Sequence, residues 1–517
     1  MKGGLPTYPI VDLFAGPGGL GEGFAGVGEK EGRPKFRSVA SIENNQFAYK
    51  TLLLRHFFRA FPPGEAPDTY YDYLGGDIDA EELFSAHPEQ LSAAQESALE
   101  ISLGEESHEK VRKIITDRLS GKRKWVLVGG PPCQAYSMAG RSRRTGDPDF
   151  SEDKKHLLYE EYLKIIIDHR PPVFVMENVK GLLSAKINDE PTIDRIVGDL
   201  KDPLNALEKS ANSLHYQLFS LSEDQIPDRD VPPRHYVVRA ERYGIPQARH
   251  RMFIVGVRSD VNVKPTTLRE HKPPSVSETI RDLPRIRSGV SRTRDSYQKW
   301  LEEIDRLADM DRKNQLSDAT QGSEVSKAIR SHLKAGKFPK ERSSSKHPRK
   351  QVSDHDTLRS MFDRRLSVLN GHEARSHMPS DLRRYMFAAT FAEQTSRSPK
   401  LPDFPVRLWP NHKNVNRAML GATFADRFRV QLRNNVSKTV TSHISKDGHY
   451  YIHYDPTQCR SLTVREAARL QTFPDNFKFE GPRTEQYHQV GNAVPPYLAK
   501  QIGEVIADVL DSMNGKA

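Results

Sequence analysis

The feature of this sequence that most constrains its fold is an alternation of short apolar runs with longer stretches of helical character. The runs YPIVDLF, RSVASIE, WVLVGG, PVFVMEN and MFIVGV, all within the first 257 residues, have the length and composition of buried strands. Strands that alternate with helices assemble into a parallel sheet with helices on both faces. We therefore predict an α/β domain around a parallel sheet.

A change of composition separates this region from the next one. Between about Arg258 and Asn435 the apolar periodicity fades, and the stretch from Glu324 to Lys350 holds nine Lys or Arg residues against two Glu. Such a stretch is typical of a solvated, partly disordered insertion or of a surface that contacts phosphates, and the two interpretations are compatible. We predict a second, smaller domain here, with a flexible basic segment near 324–350.

Regular structure is predicted to return after this region. The segment TVTSHISKDGHYYIHYD has the pattern of a hairpin that turns at Asp447 and Gly448. A helix is predicted within SLTVREAARLQTF, and a terminal helix after the Pro-Pro pair at 495–496, because proline favours the first turn of a helix. A turn at Gly491 and Asn492 is expected before that terminal helix.

Composition narrows the functional classes. A chain of 517 residues suggests two or three domains, and 78 Lys and Arg against 68 Asp and Glu give a formal charge of +10, which favours a polyanionic partner. Cys133 and Cys459 lie in unrelated contexts, so we expect neither a disulfide framework nor a metal site, and a reducing cytoplasm fits. The sequence shows no signal-peptide pattern and no apolar run long enough to span a membrane.

The first motif with chemical meaning is the glycine-rich segment DLFAGPGGLGEGF, which follows the first predicted strand. Its spacing, Gly16-x-Gly18-Gly19, differs from the dinucleotide fingerprint, but it allows the backbone to approach a ligand closely. Glu43 ends the next strand, where a carboxylate can take two ribose hydroxyls. The pattern indicates a nucleoside cofactor or a tightly packed turn, and the GGDI segment at 75–78 is a candidate source of an acid for an adenine edge.

The second motif, GGPPCQAYSMAGR, places Cys133 after a strand and two prolines. The carboxyl end of a parallel strand is where α/β sheets bind their ligands, and prolines hold the backbone stiffly there. Nearby positive charge such as Arg141 lowers the pKa of a thiol and favours the thiolate. Cys133 is therefore a candidate nucleophile, against the alternative of a buried structural cysteine.

Two further motifs supply charged groups. Glu177 follows the apolar strand PVFVM, where burial raises the pKa of a carboxyl group and suits it to share a proton; the alternative is an acid that caps the following helix. Arg249 and Arg251 in QARHR are two residues apart, so both side chains can point to one side if the segment is extended. Paired guanidinium groups suit a phosphate or a carbonyl oxygen.

Together and in this order, the motifs resemble the cytosine-5 DNA methyltransferase family along most of the chain outside 258–435. DLFAGPGG resembles the cofactor loop of that family, PPCQAYS its nucleophile loop, ENV its proton-managing carboxylate and QARHR its paired-arginine motif. REAARLQTFPD and QVGNAVPP resemble its two closing motifs. The resemblance implies a Rossmann-like fold that binds S-adenosylmethionine, releases S-adenosylhomocysteine and uses no metal.

The resemblance also implies the roles of individual residues. Cys133 would add to carbon 6 of a cytosine that has left the DNA stack, Glu177 would hold N3, and Arg249 and Arg251 would support the carbonyl oxygen and local charge, in shares that the sequence does not divide. Phe14 is expected near the adenine. The implied cofactor pocket comprises Phe14, Ala15, Gly16, Gly18, Gly19, Glu43, Asp77, Ile78, Pro131, Asn492 and Val494.

The same resemblance implies the domain plan and the partners. Residues 1–258 with 485–517 would form the catalytic domain, and 259–484 a target-recognition domain, with double-stranded DNA between them. We expect a monomer in the nucleoid-associated cytoplasm, serving restriction-modification or phage defence. The alternatives are a transfer-RNA cytosine-5 methyltransferase, which the long recognition region disfavours, and a silent DNA-binding protein, which would leave Cys133 and Glu177 without a purpose. A nicotinamide oxidoreductase does not fit the glycine spacing.

Overall fold

The computed structural model describes residues 7–29, 32–132, 154–187, 190–208, 213–224, 230–348, 355–411 and 426–513. Its strands are β1 (Tyr8–Leu13), β2 (Phe36–Glu43), β3 (Ala98–Glu100), β4 (Val126–Gly129), β5 (Val173–Val179), β6 (Lys186–Ile187), β7 (Glu190–Pro191), β8 (Tyr216–Phe219), β9 (Val237–Arg239), β10 (Gln247–Ala248), β11 (His250–Arg258), β12 (Gly289–Val290), β13 (Ser376–His377) and β14 (Ser437–Lys438).

The α-helices of these ranges are α1 (Gly19–Ala25), α2 (Gln46–Arg59), α3 (Asp68–Gly75), α4 (Ala80–Ala86), α5 (Pro88–Ser97), α6 (Glu105–Leu119), α7 (Lys154–His169), α8 (Thr192–Lys201), α9 (Pro203–Ala206), α10 (Val276–Ile280), α11 (Tyr297–Arg312), α12 (Gly322–Ala335), α13 (Asp356–Met361), α14 (Pro379–Thr395), α15 (Val464–Leu470), α16 (Arg483–Asn492) and α17 (Pro496–Ser512). None of them combines the length and apolar character needed to cross a membrane.

The five predicted strands all form and lie in one central sheet, in the order β3-β2-β1-β4-β5-β11-β8, with β9 beside β11. The neighbours β3-β2, β2-β1, β1-β4 and β4-β5 are parallel, as predicted. The prediction of a wholly parallel sheet was wrong for β11, which runs antiparallel to β5 and β8. An apolar run reads the same in either direction, so its pattern does not determine the direction of the strand.

The direction of β11 matters for the site. Because β11 is antiparallel, its first residues lie beside the last residues of β5, with Arg251 opposite Val179 and Phe253 opposite Glu177. The start of β11 therefore reaches the edge at which the parallel strands β1, β4 and β5 end. This is the edge where open α/β sheets bind their ligands.

Apolar side chains cover both faces of the sheet. On one face Val11, Leu127 and Ile254 pack with helices such as α6 and α7, and on the other face Ile10 and Val255 pack with α1 and α17. The burial of both faces accounts for strands that read as continuous apolar runs. The terminal helix α17 was predicted correctly, and it returns the chain to α1 beside the first strand.

The region after β11 contains a helical unit that the composition did not reveal. Helices α11, α12 and α14 pack around a core that includes Trp300, Ile329 and Tyr385. The predicted flexible basic segment was wrong for residues 322–335, which form α12. Val325 and Ile329 are buried one turn apart between exposed lysines, so an apolar stripe anchors this helix. Lys350 lies outside the described residues.

Two predictions for the last part of the chain are corrected. The hairpin at Asp447 and Gly448 was wrong: short 3-10 helices at Ser442–Ser445 and His449–Tyr451 replace it, because Ile444 and Tyr451 both enter one core. The helix in SLTVREAARLQTF is confirmed as α15. Gly491 and Asn492 form the end of α16 rather than a separate turn.

Part of the region 259–484 packs directly on the elements around the sheet. The Thr357 hydroxyl donates to the carbonyl oxygen of Gly244 at 2.9 Å, and the Tyr71 hydroxyl donates to Asp363 at 2.9 Å. Arg365 forms an ion pair with Asp68 at 2.8 Å. These contacts attach the segment around α13 to the elements around the sheet, although the chain reaches it only after α12.

Candidate active site

The glycine-rich loop between β1 and α1 has the conformation that its sequence predicts. Phe14, Gly16 and Gly18 have φ values of 59°, 58° and 95°, in the left-handed region that glycine adopts without strain. A side chain at Gly19 would overlap the carbonyl oxygen of Val494, so the turn that follows α16 lies directly against the loop. A Cβ on Gly16 would meet no atom within 4 Å, which leaves open space on that side.

Glu43 lies beside this loop at the end of β2. One carboxylate oxygen accepts a hydrogen bond from the Gly16 amide at 2.8 Å, and the other accepts from the amides of Asn44 and Asn45 at 3.0 and 2.8 Å. A carboxylate has about four acceptor sites, so these three bonds orient the group and leave it able to accept from a hydroxyl. The predicted position of Glu43 at the strand edge is confirmed.

The structure does not bring Asp77 and Ile78 to that edge. They follow α3, where Gly76 has a φ of 86° and the Asp77 amide donates to the Asp72 carbonyl, which is the hydrogen bonding of a glycine-terminated helix. Ile78 packs on a cluster of the outer helices. The GGDI segment is therefore a helix end, and glycine serves the cap there rather than a ligand.

Glu100 and Ile101 occupy the strand-end position instead. Glu100 is the last residue of β3 and pairs in register with Glu43, and the Ile101 amide donates to the Glu43 carbonyl at 3.0 Å. Glu100 is exposed and Ile101 is half-buried. The sequence analysis missed both because β3 has only three residues; the run ALEI directly after a helix is the signal that could have revealed it.

Glu177 meets Arg251 at the edge shared by β5 and β11. Their side chains are 14% and 16% exposed, and the Arg251 Nε lies 3.2 Å from a Glu177 carboxylate oxygen. Burial raises the pKa of Glu177, and the charges of Arg251 and Arg249 oppose that shift. The next helix in the chain is the 3-10 helix at Lys180–Ser184, and no side chain caps its start. Glu177 therefore does not act as a helix cap.

The Pro-Pro turn of the second motif lies against this carboxylate. A Cβ on Gly130 would be 3.0 Å from the Glu177 Oε2, and the Asn178 amide group donates to the carbonyl oxygen of Pro131 at 3.1 Å. Cys133 is two residues after Pro131 and lies outside the described residues. The structure thus places the start of the cysteine loop beside Glu177.

The other cysteine has a structural environment. Cys459 is buried in the core of the helical unit, and its thiol donates to the Pro456 carbonyl at 3.0 Å. Burial raises the pKa of this thiol well above its ordinary value, which suppresses the thiolate. Among the described residues, no three His, Cys, Asp or Glu side chains gather as metal ligands.

The hydrogen bonds of Arg249 differ from those of Arg251. Its guanidinium group is fully buried and donates to the carbonyl oxygens of Val440 at 2.8 Å and Gly491 at 3.1 Å, with a longer bond of 3.4 Å to that of Asn492. Burial, reinforced by the charge of Arg251, lowers the pKa of Arg249 well below its ordinary value. Only Arg251 reaches Glu177, so the two arginines have different contacts although they are two residues apart.

Gln247 was not singled out in the sequence and joins the same elements. Its amide nitrogen donates to the Leu470 carbonyl at 3.1 Å and its oxygen accepts from the Val440 amide at 2.7 Å. Gln471 extends the connection, since its side chain donates to the Val490 carbonyl at 2.6 Å. The two glutamines link β10, the segment after β14, α15 and α16, and so fix the start of β11.

Substitution of the two arginines should separate their roles. We expect Arg249→Gln to lower the free energy of unfolding by about 3 kcal/mol, because several buried carbonyl groups lose their donor. Arg251→Gln should lower it less, by about 1 kcal/mol, because the substitution removes a single ion pair and the buried Glu177 can take up a proton instead. Urea denaturation of both variants measures this, and equal losses of stability would contradict the assignment.

Asp12 gives the stability of this region a pH dependence. The side chain is completely buried in β1, and burial, with the charge of Glu43, raises its pKa from 3.8 to about 8. Between these values the unfolded chain ionises Asp12 and the folded chain does not, so stability falls as the pH rises, by about 1.4 kcal/mol per pH unit at most. The urea concentration at the midpoint of unfolding should therefore rise for Asp12→Asn relative to the wild type between pH 4 and pH 8. A difference between the two midpoints that does not change with pH would contradict this.

Comparisons with known proteins identify the family of the chain. The family model of C-5 cytosine-specific DNA methylases matches residues 96–508. The type II methyltransferase M.Bpa9945I of Bacillus paralicheniformis is 30% identical over 97% of this chain and 99% of its own length. The DNA (cytosine-5-)-methyltransferase M.ApeKI of Aeropyrum pernix is 25% identical over 98% of this chain and 100% of its own.

A solved structure supports the fold. A prophage-encoded protein of E. coli, assigned as a DNA modification methyltransferase, superposes with a TM-score of 0.50 and 17% identity, covering 98% of this chain and 100% of its own. Sheet and comparison together define a Rossmann-like fold. The chain belongs to the C-5 cytosine-specific DNA methylase family and is a DNA (cytosine-5-)-methyltransferase.

Proposed function

We propose that this enzyme methylates carbon 5 of a cytosine that has been flipped out of double-stranded DNA, through a covalent bond between Cys133 and carbon 6. The observation that carries the proposal is the pair of Glu177 and Arg251 beside the Pro-Pro turn that leads to Cys133. An acid, a cation and the start of a cysteine loop meet at the carboxyl edge of the sheet. The glycine-rich loop begins at the same edge, where β1 ends.

Carbon 5 of cytosine is too weak a nucleophile to accept a methyl group unaided. Addition of the Cys133 thiolate forms the sulfur–carbon 6 bond and moves electron density onto N3 and carbon 5. Glu177 supplies a proton to N3 and so stabilises this enamine. After the methyl group has joined carbon 5, a base removes the proton from carbon 5, and the electrons of that bond re-form the carbon 5–carbon 6 double bond and expel the Cys133 thiolate. N3 returns its proton to the Glu177 carboxylate.

Arg251 and Arg249 are proposed to act differently. Arg251 holds the Glu177 carboxyl group in place and presents a guanidinium group to the cytosine carbonyl oxygen. Arg249 is proposed as a positioning residue, because its guanidinium group is occupied by the backbone carbonyl groups of Val440 and of Gly491 in the last closing motif. It would fix the start of β11, and thereby Arg251, without contacting the base.

The residues at the end of β1 and β2 fit S-adenosylmethionine. The left-handed turn leaves open space beside Gly16, and the carboxylate of Glu43, which accepts from the Gly16 amide, keeps acceptor capacity for ribose hydroxyls. When bound, this cofactor supplies an electrophilic methyl group. We propose that Phe14, Ala15, Gly16, Gly18, Gly19, Glu43, Pro131, Asn492 and Val494 line its pocket, with Glu100 and Ile101 in place of Asp77 and Ile78 at the adenine.

The wider setting is proposed from the relatives. Residues 1–258 and 485–517 would hold the chemistry, and 259–484 would read the target in DNA, with the segment around α13 contributing to the large domain. The relatives are named as type II methyltransferases, and by analogy this enzyme would mark self DNA within a restriction-modification or phage-defence system, as a monomer at the nucleoid. A transfer-RNA substrate is not favoured by a match to a DNA methylase family.

Bisulfite sequencing tests the proposal directly. The purified protein would be incubated with S-adenosylmethionine and duplex DNA of mixed sequence, beside a parallel reaction with Cys133→Ser. Protection of cytosines at one recurring motif, absent with the variant, is the expected result. Protection that persists with the variant would refute the nucleophile, and no protection with the wild type would refute the substrate.

A further inference from the structure

A cavity of about 450 Å³ lies between α1, β2, α2 and α5, beside the glycine-rich loop. Its volume is in the range of small-molecule sites, which is roughly 300 to 1,000 Å³. Of the residues proposed for the cofactor pocket, only Gly18 lines this cavity, and neither Gly16 nor Glu43 does. The cavity therefore lies next to the cofactor pocket and is distinct from it. We call it the α1–α2 cavity.

The wall of the α1–α2 cavity is mainly apolar, and its charges are paired. Glu22 and Arg55 form an ion pair at 2.6 Å, and Arg59 pairs with Glu29 at 2.6 Å. Arg37, the remaining charged residue of the wall, is exposed to solvent. The apolar surface comes from side chains that include Phe36, Leu52, Phe58 and Phe61. Such a wall favours an uncharged aromatic molecule over an ion, because its paired charges already neutralise one another.

His56 supplies this wall with a hydrogen-bond acceptor. The Ser97 hydroxyl donates its only hydrogen to the carbonyl oxygens of Ala93 and Ala94 at 3.0 and 3.3 Å, so it must accept at its 2.8 Å contact with the His56 Nδ1. Burial lowers the pKa of His56 to about 4, so the ring is neutral at pH 7 and its single hydrogen is on Nδ1. His56 lines the cavity, and within the described part of the chain no donor reaches its Nε2. This nitrogen is therefore an acceptor that a molecule in the cavity can use.

The hydroxyl group of Ser38 offers a second polar contact in the same cavity. Ser38 lies in β2 and lines the cavity, and the residues that the structure describes make no hydrogen bond to its hydroxyl. A Cβ on Gly21 would be 3.6 Å from the Ser38 Oγ, so this hydroxyl lies next to α1. A hydroxyl group both donates and accepts, whereas the His56 Nε2 only accepts. A molecule that satisfies both groups must therefore carry at least one hydrogen-bond donor.

We propose that the α1–α2 cavity binds a small, uncharged heteroaromatic molecule of one or two fused rings, through an N–H group that donates to the His56 Nε2. The apolar and aromatic side chains of the wall would cover the faces of its ring, and the Ser38 hydroxyl would bond a second polar atom where the molecule has one. None of these groups takes part in the proposed methyl transfer. The cavity is thus a binding site in addition to those for the cofactor and DNA.

The test compares two probes of the same shape. Indole carries an N–H group, and benzofuran has an oxygen atom in its place. Binding of each probe to the full chain would be followed by NMR titration, with S-adenosylhomocysteine at saturation so that the cofactor pocket is filled. We expect saturable binding of indole, at least about fivefold tighter than that of benzofuran, because the oxygen atom leaves the His56 Nε2 without a donor.

Two substitutions locate the bound probe. His56→Phe keeps an aromatic ring and removes the acceptor, so this variant should bind indole and benzofuran with equal affinity. Ala93→Phe adds a ring to the wall of the cavity and should abolish the binding of both probes. Its control is Ala308→Phe, at a half-buried alanine of α11 that does not line the cavity, and this variant should bind both probes as the wild type does.

Three results would overturn the proposal. They are the absence of saturable indole binding, equal affinity of the wild type for the two probes, and indole binding that survives in Ala93→Phe. Circular dichroism would establish that each variant is folded. If His56→Phe unfolds, the preference of the wild type for indole and the loss of binding in Ala93→Phe still decide the question.

Discussion

Replacement of Cys133 by serine is expected to reduce methyl transfer by about four to six orders of magnitude. The hydroxyl of serine is essentially un-ionised at neutral pH, while a thiol beside cationic and polar groups supplies a thiolate. Without addition to carbon 6, carbon 5 does not become nucleophilic. Transfer of a radiolabelled methyl group from S-adenosylmethionine to DNA, followed in a single turnover, measures the loss.

The chain supplies a matched control in its second cysteine. Cys459→Ser removes a thiol of the same kind from a buried core position, where it donates to Pro456. This variant should keep the wild-type rate at a temperature where it is folded. Binding of S-adenosylhomocysteine, followed by calorimetry, should be unchanged in Cys133→Ser. Wild-type turnover by Cys133→Ser would show that another group is the nucleophile.

Glu177→Gln is expected to lower kcat by about two to three orders of magnitude, within the range of general acid–base catalysis. Glutamine has nearly the shape of glutamic acid but has no acidic proton to give to N3. Because burial raises the pKa of Glu177, the wild type retains the protonated acid to a higher pH than an exposed carboxyl group would. The wild-type rate should fall as the pH rises through that raised pKa, and the rate of the variant should not show this fall.

The control for this substitution is Glu241→Gln. Glu241 binds His250 at 2.8 Å at the start of β11, close in the fold to Arg251 but with no contact to it. Rates over a range of pH at saturating DNA would be compared for both variants. If Glu177→Gln changes only the affinity for S-adenosylmethionine, Glu177 does not serve the base.

The sequence predicts those parts of the site that depend on local geometry. The left-handed turn at Gly16 and Gly18, the carboxylate of Glu43 at a strand end and the burial of Glu177 each follow from a few neighbouring residues. Apolar runs located the five main strands for the same reason. Local patterns suffice where a strand, a turn and a polar side chain follow one another directly.

The remaining features depend on partners far along the chain. Arg249 bonds residues 191 and 242 positions away, so the sequence offers no sign that it differs from Arg251. β3 is too short to stand out, and only its pairing with β2 identifies Glu100 as a strand end. The GGDI segment misled because glycine serves a helix cap as readily as a ligand loop. In α12, lysines on the solvent side concealed the buried Val325 and Ile329.

The contact between Gly19 and Val494 has a consequence for biosynthesis. The segment that closes against the glycine-rich loop, and the helix α17 that covers α1, are translated more than four hundred residues after that loop. A nascent chain that has not yet reached these residues lacks the packing partner of Gly19, and with it one wall of the cofactor pocket proposed above. During synthesis the glycine-rich loop therefore waits for its packing partners, and the proposed pocket is complete only when the segment around Val494 and the helix α17 have folded onto α1.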